Sequence, residues 1–306
     1  MAEEHKMTRQ GQGAAEMAAA MAIAGTIGWF VVVSGRPVLN VVFWRCLFGA
    51  VTLFVVCASK GLLRPVTLRV LVLSMLGGVA IVLNWILLFA AYSRASISIA
   101  TAVYNTQPFM LVCLGSLFFS ERLTAVKLAW LGVAFGGLLL VVQLDRGSGD
   151  AGDGFVIGIL MALGAAFMWA IAALIAKQLK GTPPHLIALI QMCVGTLLLA
   201  PTADIAHAPT QLDTWGILVV IGLVHTGLVY VLMYDAIHKL PMHMQGALSF
   251  IYPIVAIAVD VIAFGHHLAF AQIVGVAAIL VAVAGMQGHA SARKADKPLL
   301  LPRDSS

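Results

Sequence analysis

Apolar runs of roughly 20 residues recur along the whole chain, and their length limits the possible folds more than any other feature. A helix of about 20 apolar residues crosses the roughly 30 Å of hydrocarbon in a bilayer. The first run spans Ala14 to Val33. Others follow at about 38–58, 69–92, 97–119, 125–143, 154–177, 185–201, 215–236, 244–264 and 270–288, ten in all. With 61% of its 306 residues hydrophobic and 10% charged, a water-soluble globule of this size could not hide its apolar surface. The chain therefore reads as an all-α polytopic membrane protein. Its first run is too long for a secretory h-region, so it counts as a span.

Charge fixes an expected orientation. The net charge is +5. In a soluble domain that balance would suggest nucleic acid, but here the basic residues sit in short loops and tails, so no nucleic-acid partner is expected. With the N-terminus inside, fourteen lysines and arginines fall on the inner side, against Arg36, Arg94 and Arg146 outside. That bias obeys the positive-inside rule and puts both termini in the cytoplasm. On the same reading Asp235 is expected at an outer end, in solvent. Cys46, Cys57, Cys113 and Cys193 all lie in apolar runs and read as soft hydrophobes. Neither they nor the adjacent His266 and His267 suggest a metal site, and no cofactor is expected. No phosphate-binding G-x-x-x-x-G-K-[ST] loop occurs, so any driving force must come from gradients or from a partner protein.

The longest loop, Leu144 to Gly154, is rich in Gly and Asp and divides the chain nearly in half. FAAYSRASISIATAVYNTQPFMLVCLGSLFFSERL aligns without a gap above YDAIHKLPMHMQGALSFIYPIVAIAVDVIAFGHHL. Pro108 falls on Pro253, and Arg94 falls on Lys239. The halves read as repeats of five spans, 1–145 and 154–289, with a 146–153 linker and a 290–306 cytoplasmic tail. Five is odd, so the second repeat is expected to run inverted, a recurrent transporter plan.

These residues bring a family into view. The ten spans, FWRCLFGA (Phe43 to Ala50) and the stretch from Leu88 to Leu140 resemble the drug/metabolite transporter superfamily, and within it the EamA family. Trp44-Arg45, Pro108 and Glu121-Arg122-Leu123 carry the likeness. In the second half His266-His267-Leu268 departs from the acidic-basic-Leu turn. Among members, the chain looks most like the YddG-type exporters of aromatic amino acids. The resemblance implies a secondary exporter in a bacterial inner membrane, acting on a small-molecule substrate.

Thr101, Tyr104, Asn105 and Pro108 are spaced to share one helix face, and Pro108 frees the carbonyl of Tyr104. Gln245, Ser249 and Tyr252 repeat the pattern, with Pro253 freeing Ser249. Irregular backbone at membrane depth survives where protein or a watery cavity covers it. The two polar faces are expected to wall one central cavity, with Pro108 and Pro253 as bending points for alternating access. Interhelical bonding is the plainer alternative for each polar group. Asn84, Trp85, Trp169, His225, Thr226 and Tyr230 join the candidate lining, since aromatic rings with polar tips suit a flat amphipathic ligand. Trp44, Trp215 and Tyr92 read instead as interfacial anchors.

Charges in hydrocarbon are costly. Arg45 and Asp260 fall on the same side of the membrane and could pair as an outer gate. Alternatively Arg45 could receive a substrate carboxylate, or each could snorkel alone. His225 could relay a proton or be a hydrogen-bonded neutral group. Gly132 and Gly136 form a GxxxG face for internal packing or a dimer contact, so a monomer or weak homo-oligomer is expected. The rival reading, a membrane enzyme acting on lipid, would need a reactive interfacial cluster. His238 and His243, flanking Lys239, come nearest to one.

Overall fold

The protein is described from a computed structural model. It describes residues 2–119, 125–143, 152–179, 181–203, 209–237, 239–240, 242–266 and 268–295. The Glu121-Arg122-Leu123 turn, most of the 146–153 linker, His238, the His243 side chain, His267 and the tail beyond 295 lie outside the described residues.

The described residues are helical, with no strand among them. Three helices lead: α1 (Ala2–Val33), α2 (Val38–Ser59) and α3 (Leu68–Ala95). The fourth apolar run forms two helices, α4 (Ile97–Tyr104) and α5 (Gln107–Phe119), and α6 (Ala125–Gln143) completes the first half. The second half opens with α7 (Gly152–Gln178) and α8 (Pro184–Leu199). Next, α9 (Leu212–Gly222) and α10 (Val229–Ile237) join through a π-helical turn, Leu223–Leu228. The ninth run is again split, into α11 (Met242–Ser249) and α12 (Ile251–Phe264), before α13 (Phe270–Ala295). Among the described residues five helical stretches are long and apolar enough to cross a bilayer: Arg9–Val33, Val38–Ser59, Leu68–Ala95, Gly154–Gln178 and Leu212–Ile237. The others are shorter apolar helices or the split pairs.

Local chemistry sets the ends. Thr67 caps α3 by accepting from the Val70 amide. Ser96 joins α3 to α4 by itself. Its φ of 59° is the one positive value at a non-glycine among the described residues, and its hydroxyl accepts from the Ile99 amide. Such a conformation costs on the order of 1–3 kcal/mol, so the neighbouring helices must hold it in place. Both split runs break just ahead of the proline. Asn105 and Thr106 turn before Pro108, and Phe250 turns before Pro253. The expected bend is therefore an interruption. Asn105 Nδ2 and Thr106 Oγ1 cap the end of α4 by donating to the Thr101 and Val103 carbonyls.

The bundle is apolar outside and holds a minority of polar groups within an apolar core. Ile262, Phe270, Leu197 and Phe135 are more than half exposed, whereas Asn84, Thr101, Thr226 and Asp260 have no exposed surface. Water does not select that distribution, and lipid does. Glycines bring α2 against the second half. A Cβ at Gly222 would fall on Phe48 Cβ, one at Gly227 on Thr52 Cγ2, and one at Gly195 on Cys46 Sγ. Of the two readings of the GxxxG face, internal packing is not what the structure shows, and the dimer contact is left. Gly132 and Gly136 face open space, and it is Gly137 that lies against Gly275 and Ala278 of α13.

Gly222→Ala is expected to overpack this contact and destabilise the protein by about 1–3 kcal/mol, because the base of Phe48 cannot swing away. Gly216→Ala, whose Cβ meets nothing within 4 Å, is expected to be neutral. Thermal unfolding of the two variants in detergent checks the difference.

Candidate functional site

Helices from both halves bring polar and aromatic groups together in the buried interior. Asn84 of α3 is fully buried. Its Nδ2 donates to the Ala165 carbonyl of α7 at 2.7 Å and to the Tyr104 hydroxyl of α4 at 3.2 Å. One amide thus fastens three helices, which a buried polar group must do to offset its desolvation. Trp85 follows it and is 7% exposed. Trp169, one turn beyond Ala165 on α7, is half-buried against the same core.

Arg45 of α2 lies at the centre. It is only 7% exposed. Its guanidinium carbon sits 3.7 Å from the centre of the Trp85 ring and 5.5 Å from that of Phe89. Its Nε donates to Thr226 Oγ1 at 2.9 Å. Tyr230, Tyr92 and Tyr104 lie within electrostatic reach of the guanidinium, and Tyr252 lies beside Tyr104 and Tyr92. Thr101 Oγ1 is buried next to Tyr92 and Tyr252 without a hydrogen bond of ordinary geometry.

The π-turn explains how Thr226 arrives there. Its hydroxyl reaches back five residues to the Ile221 carbonyl at 3.2 Å, the spacing of a π-turn, and accepts from Arg45 on its other side. Gly49 makes room on α2, since a Cβ there would sit 2.8 Å from Thr226 Cγ2. His225, in the same turn, has both ring nitrogens engaged. Nδ1 lies 3.4 Å from the Val220 carbonyl and Nε2 lies 2.9 Å from Thr26 Oγ1, while Phe30 packs on the ring. Thr26 Oγ1 gives its one proton to the Ile23 carbonyl at 2.8 Å, so toward His225 Nε2 it acts as an acceptor, as the Val220 carbonyl does toward Nδ1. His225 is thus hydrogen-bonded at both ring nitrogens within the bundle.

Several expected lining residues take other places. Asp260 and Arg45 have separate partners. Asp260 Oδ2 accepts from the Ser98 amide at the start of α4 (3.0 Å), and Oδ1 meets His266 Nδ1 (2.8 Å). Gln245 donates to the Ile237 and Leu240 carbonyls, so it secures the turn between α10 and α11. Asn105 bonds its own helix. Ser249 ends α11, half-buried. Tyr92, expected as a surface anchor, is 4% exposed and belongs to the central cluster. Asp235, expected in solvent at an outer end, is partly exposed but pairs with Lys60 at 3.3 Å, at the same end as the Lys239–Glu16 pair, and both lysines were expected on the inner side. Trp44 and Trp215 meet edge to face, half-buried against the main core. Phe89 and Thr26 were not singled out from the sequence. Phe89 lies one helical turn beyond Trp85, and that spacing was its only signal.

Comparison with known proteins agrees with this architecture. The EamA-like transporter family matches residues 13–143 and again residues 156–287. An uncharacterized transporter, YxxF, of Bacillus subtilis is 28% identical over 272 residues, covering 88% of this chain and 87% of the relative. A probable amino-acid metabolite efflux pump of Salmonella typhimurium is 26% identical over 196 residues, covering 60% of this chain and 64% of that protein. A crystal structure with 18% sequence identity superposes with a TM-score of 0.60 over 94% of this chain and 99% of the other, which shows a shared fold.

Asn84→Leu is expected to strand the Tyr104 hydroxyl and the Ala165 carbonyl and to cost about 1–3 kcal/mol. Tyr104→Phe leaves Asn84 one acceptor and costs about 0.5–1.5 kcal/mol. Because the two share a bond, the double variant is expected to lose less than the sum, as a thermal-unfolding double-mutant cycle would show.

Proposed function

The chain belongs to the EamA-like transporter family, and within that family we propose that it exports small amphipathic metabolites, aromatic amino acids foremost, by alternating access. The observation that carries this reading is the central cluster. It is assembled from both halves, polar at its tips and aromatic in its walls, where α2, α3 and α4 meet the π-turn, α10 and α12. A flat apolar body with one polar end suits such a lining.

The architecture proposed is two five-helix repeats, 1–145 and 154–289, of inverted topology, with the cluster between them. Two matches to one family profile and two helix breaks at equivalent prolines support the duplication. The breaks at Asn105–Thr106 and Phe250 would let the halves of each split helix tilt separately, with Pro108 and Pro253 fixing the breakpoints. Asp260 holding the α4 start at one end, and Lys60–Asp235 with Lys239–Glu16 at the other, would be the contacts made and broken between states. The name of the Salmonella relative supports amino-acid metabolites as cargo. The bacterial inner membrane, with both termini cytoplasmic, is the proposed location.

Counterflow tests the reading. Protein in liposomes loaded with unlabelled tryptophan is expected to accumulate labelled tryptophan or phenylalanine transiently without an imposed gradient. Trp169→Ala and Tyr104→Ala are expected to slow it at least about tenfold, and unchanged rates would exclude these residues from the path. For orientation, Ser59→Cys in a cysteine-free background is expected to react with a membrane-impermeant thiol reagent only in opened cells. Ser93→Cys is expected to react in intact cells. The reverse pattern would invert the proposed topology.

A further inference from the structure

A guanidinium offers five N–H donors, and Arg45 uses one of them inside the bundle. Nε is bonded to Thr226. Nη1 and Nη2 have no acceptor among the described residues, yet they are not among the sealed, unbonded polar atoms, so they border open space. The described ion pairs are Lys60–Asp235, Lys239–Glu16 and His266–Asp260, and none includes Arg45. A charge buried without a counter-ion costs several kcal/mol. This one is also held rigidly. Thr226 anchors one edge, itself anchored on Ile221, and Trp85 lies under one face. What is left open is the Nη1–Nη2 edge, the side from which a carboxylate is gripped by two parallel bonds.

We propose that Arg45 is the anion receptor of the transport site and that it binds the substrate's carboxylate, so that the acid group is what the protein recognises and the amino group is dispensable. The proposal rests on the transport reading above and narrows its substrate class to flat carboxylic acids, amino or not. Among the described residues no lysine stands beside this guanidinium, which matches a monoanion better than a phosphate dianion. Tyr230, Tyr104, Tyr252 and Phe89 supply rings for the apolar body. Among the described residues no carboxylate pairs into the cluster to receive an ammonium, and Arg45 itself repels one. Thr226 acts through Arg45 as a positioning residue.

The test compares three ligands of one indole skeleton. Tryptophan has both groups, indole-3-propionate has the acid only, and tryptamine has the amine only. Binding to the purified full chain in detergent is followed by the shift in thermal unfolding, and counterflow is measured in liposomes. Tryptophan and indole-3-propionate are expected to stabilise the wild type, and tryptamine is not. Arg45→Gln is expected to weaken both acids at least about tenfold, and Arg45→Lys to weaken them less, since it keeps the charge without the fork. Tryptamine binding as tightly as indole-3-propionate overturns the proposal from the wild type alone, even if the variants do not fold. So does retention of acid binding by a folded Arg45→Gln, or binding of none of the three ligands. If the acids bind through Arg45 but tryptophan shows no counterflow, the carrier reading fails and the anion site stands. If tryptophan flows equally well in folded Arg45→Gln, the carrier stands and the anion site falls.

Discussion

Hydrocarbon supplies no hydrogen bonds, so each polar group drawn into this bundle must find its partner on another part of the chain. That requirement organises the interior. Asn84 joins α3, α4 and α7 because its amide has nowhere else to go. Thr26 satisfies His225, and through it α1 is tied to the π-turn. Asp260 satisfies the buried Ser98 amide at the start of α4. Each bond is worth little by itself, but the cost of leaving it unmade dictates which helices lie together. The groups that escape the rule are therefore informative, and two of them, the Arg45 terminal nitrogens and Thr101, sit in the same cluster.

Close packing and polar pairing divide the labour between elements. Where α2 meets α8, α9 and the π-turn, glycines let the backbones approach until a single added methyl would collide. Contacts that tight favour motion as one block, since packed surfaces shift between discrete arrangements and do not deform smoothly. The start of α4 is different. It is held to α12 by one carboxylate and to α3 by one strained serine. That corner adjoins one of the two helix breaks.

How much of this was legible in the sequence follows from which physics set each feature. Span positions were readable because bilayer thickness fixes the length of an apolar run, and α2, α3, α6 and α7 lie within a few residues of the expected runs. The interruptions were readable from Pro108 and Pro253, since a missing N–H unsettles the turn before it. That the break would be clean, capped by Asn105 and Thr106, required the side-chain geometry. Helix rotation was not readable. A tyrosine near the end of a run can face lipid or the core, and Tyr92 faces the core. Arg45 and Asp260 were matched by depth alone, and depth says nothing about azimuth. Gln245 looked like lining because its spacing fitted, but carbonyls across the α10–α11 turn were nearer.

The turn at Leu223–Leu228 has a consequence for how this chain can vary. A π-turn carries one residue more than the α-helix around it, so it behaves as an accommodated insertion. Removing one residue there would restore a regular helix and leave the phase of the segments on either side largely as it is. Tyr230 and Tyr234 would keep their direction, but the widened turn that lets Thr226 reach both the Ile221 carbonyl and the guanidinium would be gone, without any side chain having been substituted. A loss of one residue is thus better absorbed at this turn than elsewhere along the eighth apolar run, at the expense of the hydroxyl that holds Arg45.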